Sequence, residues 1–157
     1  MFPKSFLGSR ADALMDIVIL SLALIIPIIL YSWKKAKNSN YPIHRSIQTT
    51  LTIVLFIVVS IFELDMRANG GIFKMIEGSS YSGTNFMNSS VYVHTFFSIS
   101  TSIIWIGLII ISWLKFPNPP NPSAFSKTHI FWGKIGMLDM ILTGITGVQL
   151  YIFGFLL

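Results

Sequence analysis

An all-α integral membrane protein, a bundle of four transmembrane helices, is the fold this sequence predicts, and three observations predict it. The chain is 53% hydrophobic and 11% charged, with a mean hydropathy of +0.70, far from the usage of a water-soluble domain. Four apolar stretches are each long enough to cross about 30 Å of hydrocarbon, which takes roughly 20 helical residues. None of them alternates polar and apolar residues over about ten positions, as barrel strands would. Backbone groups in hydrocarbon must find partners within their own segment, so the stretches read as helices.

The spans run approximately Ala13 to Trp33, Ile47 to Asp65, Val91 to Trp113 and Ile130 to Phe155. Asp16 near the start of the first span, its long apolar run and the lack of a small-residue cleavage site argue for a retained helix over a cleaved signal. Pro27 is expected to kink it. The intervening segments, Lys34 to Ser46, Met66 to Ser90 and Leu114 to His129, are too short for separate domains, so residues 1–157 are read as one membrane domain. The last of them carries Pro117, Pro119, Pro120 and Pro122 and is expected to be a stiff, extended connector.

Lys34, Lys35, Lys37, Arg45, Lys115, Lys127 and Lys134, seven of the eleven basic residues, fall on one side of the predicted bundle. Cytoplasmic loops carry the excess of Lys and Arg, so that side is expected to face the cytoplasm of a bacterial inner membrane, with both termini and the 66–90 segment outside. The net charge of +5 therefore reflects topology; the basic residues flank apolar helices and form no nucleic-acid-binding domain. With no cysteine there is no disulfide framework, thiolate metal site or covalently attached haem. Walker, GxSxG, HExxH and dinucleotide fingerprints are absent as well, which removes support for hydrolase and kinase readings and leaves an enzyme less expected than a binding protein.

Ionisable residues in or beside a membrane are costly and so draw functional interest. At the cytoplasmic edge His44 opens the second helix and His129 opens the fourth, with Gln48 one turn from His44 on the same face. Facing imidazoles in a bundle are the arrangement that ligates haem iron axially, and with a third donor they hold copper or another transition metal. His44, His129 and Gln48 are thus the candidate cofactor residues, for haem b or a copper or iron ion; the competing reading is interfacial histidines bonded to loop carbonyls. At the external edge Glu63 and Arg67 are spaced for a helical ion pair. Asp65 is turned away from them and is expected to hold His94, leaving the other ring nitrogen free for a metal; His94, Asp65 and Glu63 form the second candidate set. A plain clamp between helices is the alternative.

Asp139 lies ten residues past His129, about 15 Å deeper along a helix, on a face shared with Gly136, Thr143 and Thr146. It is expected to bond a neighbouring helix rather than to relay protons. Met137 and Met140 are assigned to packing. Gly133, Gly136, Gly144 and Gly147 mark the fourth helix as central, since small residues permit close approach where lipid competes with packing. Ser98 and Ser102 share a face of the third helix, and Thr143 and Thr146 are placed to bond their own helix backbone.

The order His44-Arg45, His94, His129 and Thr146-Gly147 with Tyr151, together with the string Phe62-Glu63-Leu64-Asp65-Met66-Arg67, resembles a family of small bacterial polytopic membrane proteins. That family includes maturation factors for haem-copper terminal oxidases. The likeness spans roughly residues 41 to 157 and lies in the spacing of the set. The chain departs from it at Lys134 to Asp139, where the oxidase factors are more aromatic and carry proline. The resemblance implies an accessory protein that assists assembly of a respiratory oxidase. The function expected is accordingly an accessory or assembly protein of a membrane metalloenzyme complex, with membrane lipid and a larger membrane complex as partners. The alternatives are a b-type haem electron-transfer protein and a purely structural small subunit.

Overall fold

The computed structural model describes residues 2–157. Among them are four long helices and no β-strand, an all-α four-helix bundle. Helix α1 spans Ala13–Lys37 and α2 spans Tyr41–Ala68; a single turn, α3 (Ile72–Met75), precedes α4 (Asn85–Lys115) and α5 (Ser126–Tyr151). A π-helical turn, Ile152–Leu156, continues α5 to the chain end. All four long helices are long and apolar enough to cross a membrane, the fourth taken as Ser126–Leu156 with its π turn.

Two helices begin about one and a half turns before the apolar runs do, α2 at Tyr41 rather than Ile47 and α4 at Asn85 rather than Val91. Hydropathy marks where hydrocarbon begins, whereas caps mark where a helix begins. Asn40 accepts from the Ile43 amide and Pro42 occupies the first turn of α2, the place where proline's missing N–H costs nothing. Thr84 accepts from the Met87 amide and starts α4. The connector between α1 and α2 shrinks to three residues, and Ser39 takes a left-handed φ of 58° to turn the chain. Pro27 lies within continuous α1.

The chain makes two antiparallel hairpins, α1 with α2 and α4 with α5, which pack together through α1 against α5 and α2 against α4. Helices α2 and α5 are therefore diagonal. Helix α5 is the hub: 44% of its most apolar window is buried, against none of the window in α2. The glycines explain the difference. Gly136 lets Ile104 approach to 3.2 Å of where a Cβ would stand, and at Gly147 the ring of His94 comes within 3.0 Å and Leu22 within 3.3 Å of that point. One cluster of buried side chains, Met15, Ile76, Met87, Val91, Leu150 and Phe155 among them, lies towards the end that holds both termini. A second, around Ile25, Ile29 and Met140, fills the middle. The outer surface is apolar, with Leu24, Ile53, Phe56, Phe96, Ile103 and Leu138 all exposed, as suits a lipid-facing wall.

The end holding both termini is closed by a polar knot. Asp16 is 0% exposed. Its Oδ2 accepts from the Ser5 hydroxyl at 2.8 Å and from the backbone amides of Phe6 and Leu7 at 2.8 and 3.0 Å; its Oδ1 accepts from the Tyr151 hydroxyl at 2.6 Å. Arg10 donates to the carbonyls of Phe155 and Gly154. The segment before α1 is thereby wrapped round a carboxylate and tied to the end of α5.

Two outcomes follow from this packing. Gly147→Val should destabilise the bundle by about 1–3 kcal/mol through overpacking against His94 and Leu22, measured by denaturant unfolding in detergent. Tyr151→Phe should cost about 1.5–3 kcal/mol, the worth of a hydrogen bond to a charged group, with amide exchange rising first in residues 5–9.

Candidate functional site

The α1–α2 and α4–α5 hairpins bring His44 and His129 to one end of the bundle, as their positions at the starts of α2 and α5 predict. Their ring centroids lie 6.1 Å apart with the planes at 87°, and both residues are half-buried. Each Nδ1 is held by a serine on the preceding helix of its own hairpin. His44 Nδ1 lies 3.1 Å from the Ser32 carbonyl and 2.9 Å from the Ser32 hydroxyl. A carbonyl only accepts, so Nδ1 carries the hydrogen and Nε2 keeps a lone pair. Gln48 donates to the Ser32 hydroxyl at 3.0 Å; it supports the histidine from behind instead of adding a ligand.

His129 Nδ1 lies 2.9 Å from the Ser112 hydroxyl, which can donate or accept. The ring is boxed by Phe116 and Phe125, at 5.3 and 6.3 Å between centroids. Beside this pair Arg45 stacks its guanidinium 3.5 Å from the Trp113 ring centre and reaches the Pro117 carbonyl, while the Trp113 indole donates to Thr49. Lys37 sits over Trp33 at 4.2 Å and Lys35 over Tyr31 at 5.0 Å. This end thus carries two imidazoles, an aromatic collar and the seven basic residues with no acid among them: five of the six acids, Asp12, Asp16, Glu63, Asp65 and Glu77, belong to the opposite end, and Asp139 lies between.

The second predicted set does not assemble. His94 does not pair with Asp65; it faces α5, with Nδ1 3.0 Å from the Thr146 hydroxyl and Nε2 3.2 Å from the Ser98 hydroxyl. Asp65 accepts instead from the Asn69 amide at 3.1 Å, and Glu63 pairs with Arg67 at 2.7 Å, as the spacing predicts. Among the described residues no group of three His, Asp or Glu is arranged to hold a metal ion. The reason is depth as well as rotation: Gly147 meets the His94 ring and Leu22 of α1 together, ten residues along from Asp12 and so about 15 Å deeper. His94 lies on the face of α4 turned to α5, whereas Asp65 ends α2 beside the start of α1, where Asp12 is its neighbour.

His94 belongs to a polar seam between α4 and α5. From the terminal end it runs Gln149 to Ser90 at 3.1 Å, Thr146 to His94, Thr143 to Thr101 at 2.9 Å, and Asp139 to Ser100 at 2.7 Å. Apolar contacts at Gly136 and Gly133 follow, and Ser112 with His129 closes it. Thr143 and Thr146 also donate to the carbonyls of Asp139 and Leu142, the back-bonding expected of them. Asp139 bonds the neighbouring helix, as expected. Sequence reasoning missed Ser32, Ser112, Ser100 and the Asp16 knot. Only the antiparallel register reveals them, since each serine lies about as far before its connector as its partner lies after it.

Comparison with protein families, curated proteins and solved structures finds no match for this chain.

At the terminal end, burial pushes the Asp12 carboxyl above its ordinary value of 3.8, and neighbouring Asp65 adds to the rise. The folded state then holds a proton that the unfolded chain has released, so stability falls as pH rises from about 3.8 through the raised value. Asp12→Asn keeps the cap on Met15 and removes the carboxyl. Amide protection factors at the start of α1, exchange rates corrected for the intrinsic base catalysis, should therefore fall with rising pH in the wild type and lose that dependence in the variant.

Proposed function

We propose that the protein is an accessory membrane protein of a metalloenzyme complex, and that His44 and His129 at its cytoplasmic edge hold the metal or haem it handles. The observation that carries this reading is the 3.1 Å contact of His44 Nδ1 with the Ser32 carbonyl: a carbonyl accepts, so the contact calls for a hydrogen on Nδ1 and a lone pair on Nε2, the arrangement a ligating histidine and its outer partner adopt. The 6.1 Å between ring centroids fits two imidazoles sharing one metal, whose nitrogens at about 2.0–2.1 Å each from the ion stand up to about 4 Å apart. The spacing of His44, His94, His129, Thr146 and Tyr151, which resembles that of oxidase maturation factors, supports placing the partner among respiratory oxidases of a bacterial inner membrane. His94, with both nitrogens occupied, is assigned to the α4–α5 seam.

The test is purification in mild detergent with elemental analysis for iron and copper and a reduced-minus-oxidised visible spectrum, alongside His44→Ala, His129→Ala and His94→Ala. Bound metal or haem should fall at least about tenfold in the first two variants, a loss of 1.4 kcal/mol or more, and persist in His94→Ala. Wild-type protein that carries and accepts neither iron nor copper refutes the reading.

A further inference from the structure

We propose that the lipid-facing side of the α4–α5 seam, near the terminal end, is a binding site for a lipid whose small, uncharged head bears hydroxyls. A groove of about 280 Å³ opens there, lined by Phe86, Ser89, Ser90 and Val93 of α4 and by Thr146 and Gln149 of α5. It lies towards the opposite end of the bundle from His44 and His129 and is independent of what those histidines hold.

The size of the groove selects a headgroup. Its α4 wall runs the seven residues from Phe86 to Val93, about 10 Å, too short to seat a second helix. Its volume falls just below that of pockets which enclose whole drug-sized ligands, about 300–1,000 Å³. A glycerol or one small ring fits, and the attached chains stay outside. Phe86 is 44% and Val93 46% exposed, which gives those chains an apolar wall to follow. The depth agrees. The apolar run of α4 opens at Val91, within the groove, and Gln149 stands six residues before Phe155, about 9 Å along the helix. Hydrocarbon meets headgroups at that level.

The polarity of the lining selects the kind of head. None of the six residues is ionisable, so no counter-charge awaits a phosphate or an ammonium. Gln149 donates one Nε2 hydrogen to the Ser90 hydroxyl at 3.1 Å, and Ser90 donates to the Phe86 carbonyl at 2.9 Å. Among the described residues neither the Gln149 carboxamide oxygen nor the exposed Ser89 hydroxyl meets a protein partner, and the second Nε2 hydrogen of Gln149 is left over too. Thr146 forms the floor without adding a donor, its hydroxyl being engaged by the Leu142 carbonyl at 2.8 Å and by His94. One acceptor, one donor and one hydroxyl that serves as either thus line a single small space. A head that both gives and accepts hydrogens pairs with all three. A hydrocarbon chain in the same place leaves them unpaired, which is costly at the edge of a membrane.

The experiment titrates the full chain, labelled with nitrogen-15 in an amine-oxide detergent whose head lacks hydroxyls, with dioctanoylglycerol, decylubiquinol and dioctanoylphosphatidylcholine. The two glutamines, Gln48 and Gln149, report through their side-chain amides from opposite ends of the bundle. Dioctanoylglycerol or the quinol should move the Gln149 signals saturably and leave Gln48 unmoved, with the phosphatidylcholine bound about tenfold more weakly or less well still. The tighter of the two identifies the head as a glycerol or a hydroxylated ring. Ser89→Leu fills the groove without breaking a protein hydrogen bond; it should weaken binding about tenfold and leave thermal unfolding and metal content unchanged. The wild-type shifts locate the ligand whether or not that variant folds. Equal binding of phosphatidylcholine overturns the selectivity for an uncharged head, and saturation without movement of the Gln149 signals overturns the site. If none of the three binds, water fills the groove and the proposal falls, with the reading of His44 and His129 untouched.

Discussion

Inside a membrane-spanning bundle there is no water to repair a broken hydrogen bond, and the rest of this structure depends on how that constraint is met along α5. Every buried polar group on that helix faces another helix or the terminal segment: Tyr151 meets Asp16 and Ser9, Thr146 meets His94, Thr143 meets Thr101, and Asp139 meets Ser100. The glycines between them let the neighbours come close enough for these bonds to form. Polar pairing and small-residue packing are thus one device, since in lipid neither burial nor hydrophobicity alone distinguishes a helix neighbour from a hydrocarbon chain.

The two ends of the bundle solve different problems. At the terminal end four of the five acids are engaged: Asp16 accepts four hydrogen bonds, Asp12 caps Met15, Glu63 holds Arg67, and Asp65 holds Asn69. At the other end the polar groups are arranged but not exhausted. Ser32 and Ser112 each take the Nδ1 of a histidine, and the two rings stand 6.1 Å apart across the diagonal. His94 makes the contrast plain. Its two nitrogens both lie within hydrogen-bond distance of seam hydroxyls, Nδ1 of Thr146 and Nε2 of Ser98, so both are engaged within the seam. A histidine with both nitrogens occupied is a structural joint, whereas one with a fixed tautomer and a free lone pair is a donor.

That difference was not legible in the residues themselves. His44, His94 and His129 each stand near a helix end, and hydropathy treats them alike. Pairing His94 with Asp65 assumed a common depth and a common face, and both failed: His94 lies at the level of Leu22, whereas Asp65 lies beside Asp12, about 15 Å away along α1, and a helix turns 100° per residue, so a span boundary uncertain by one or two residues leaves its facing surface undetermined. Likewise the apolar runs located the spans but missed the first turns of α2 and α4, which Asn40, Pro42 and Thr84 set by capping chemistry.

By itself the sequence determined that four helices exist, that they are long enough to cross a membrane, which end carries the basic residues, and that α5 with its four glycines sits centrally. Length, apolarity and residue size decide those properties, and all are local. Which serine orients which histidine, that Asp16 is wrapped by Ser5, Phe6 and Leu7, and that His44 and His129 meet across the diagonal while His94 does not meet Asp65 were decided by tertiary structure alone. Those relations depend on the rotation and register of one helix against another, and both are fixed by connector geometry and close packing over the whole bundle.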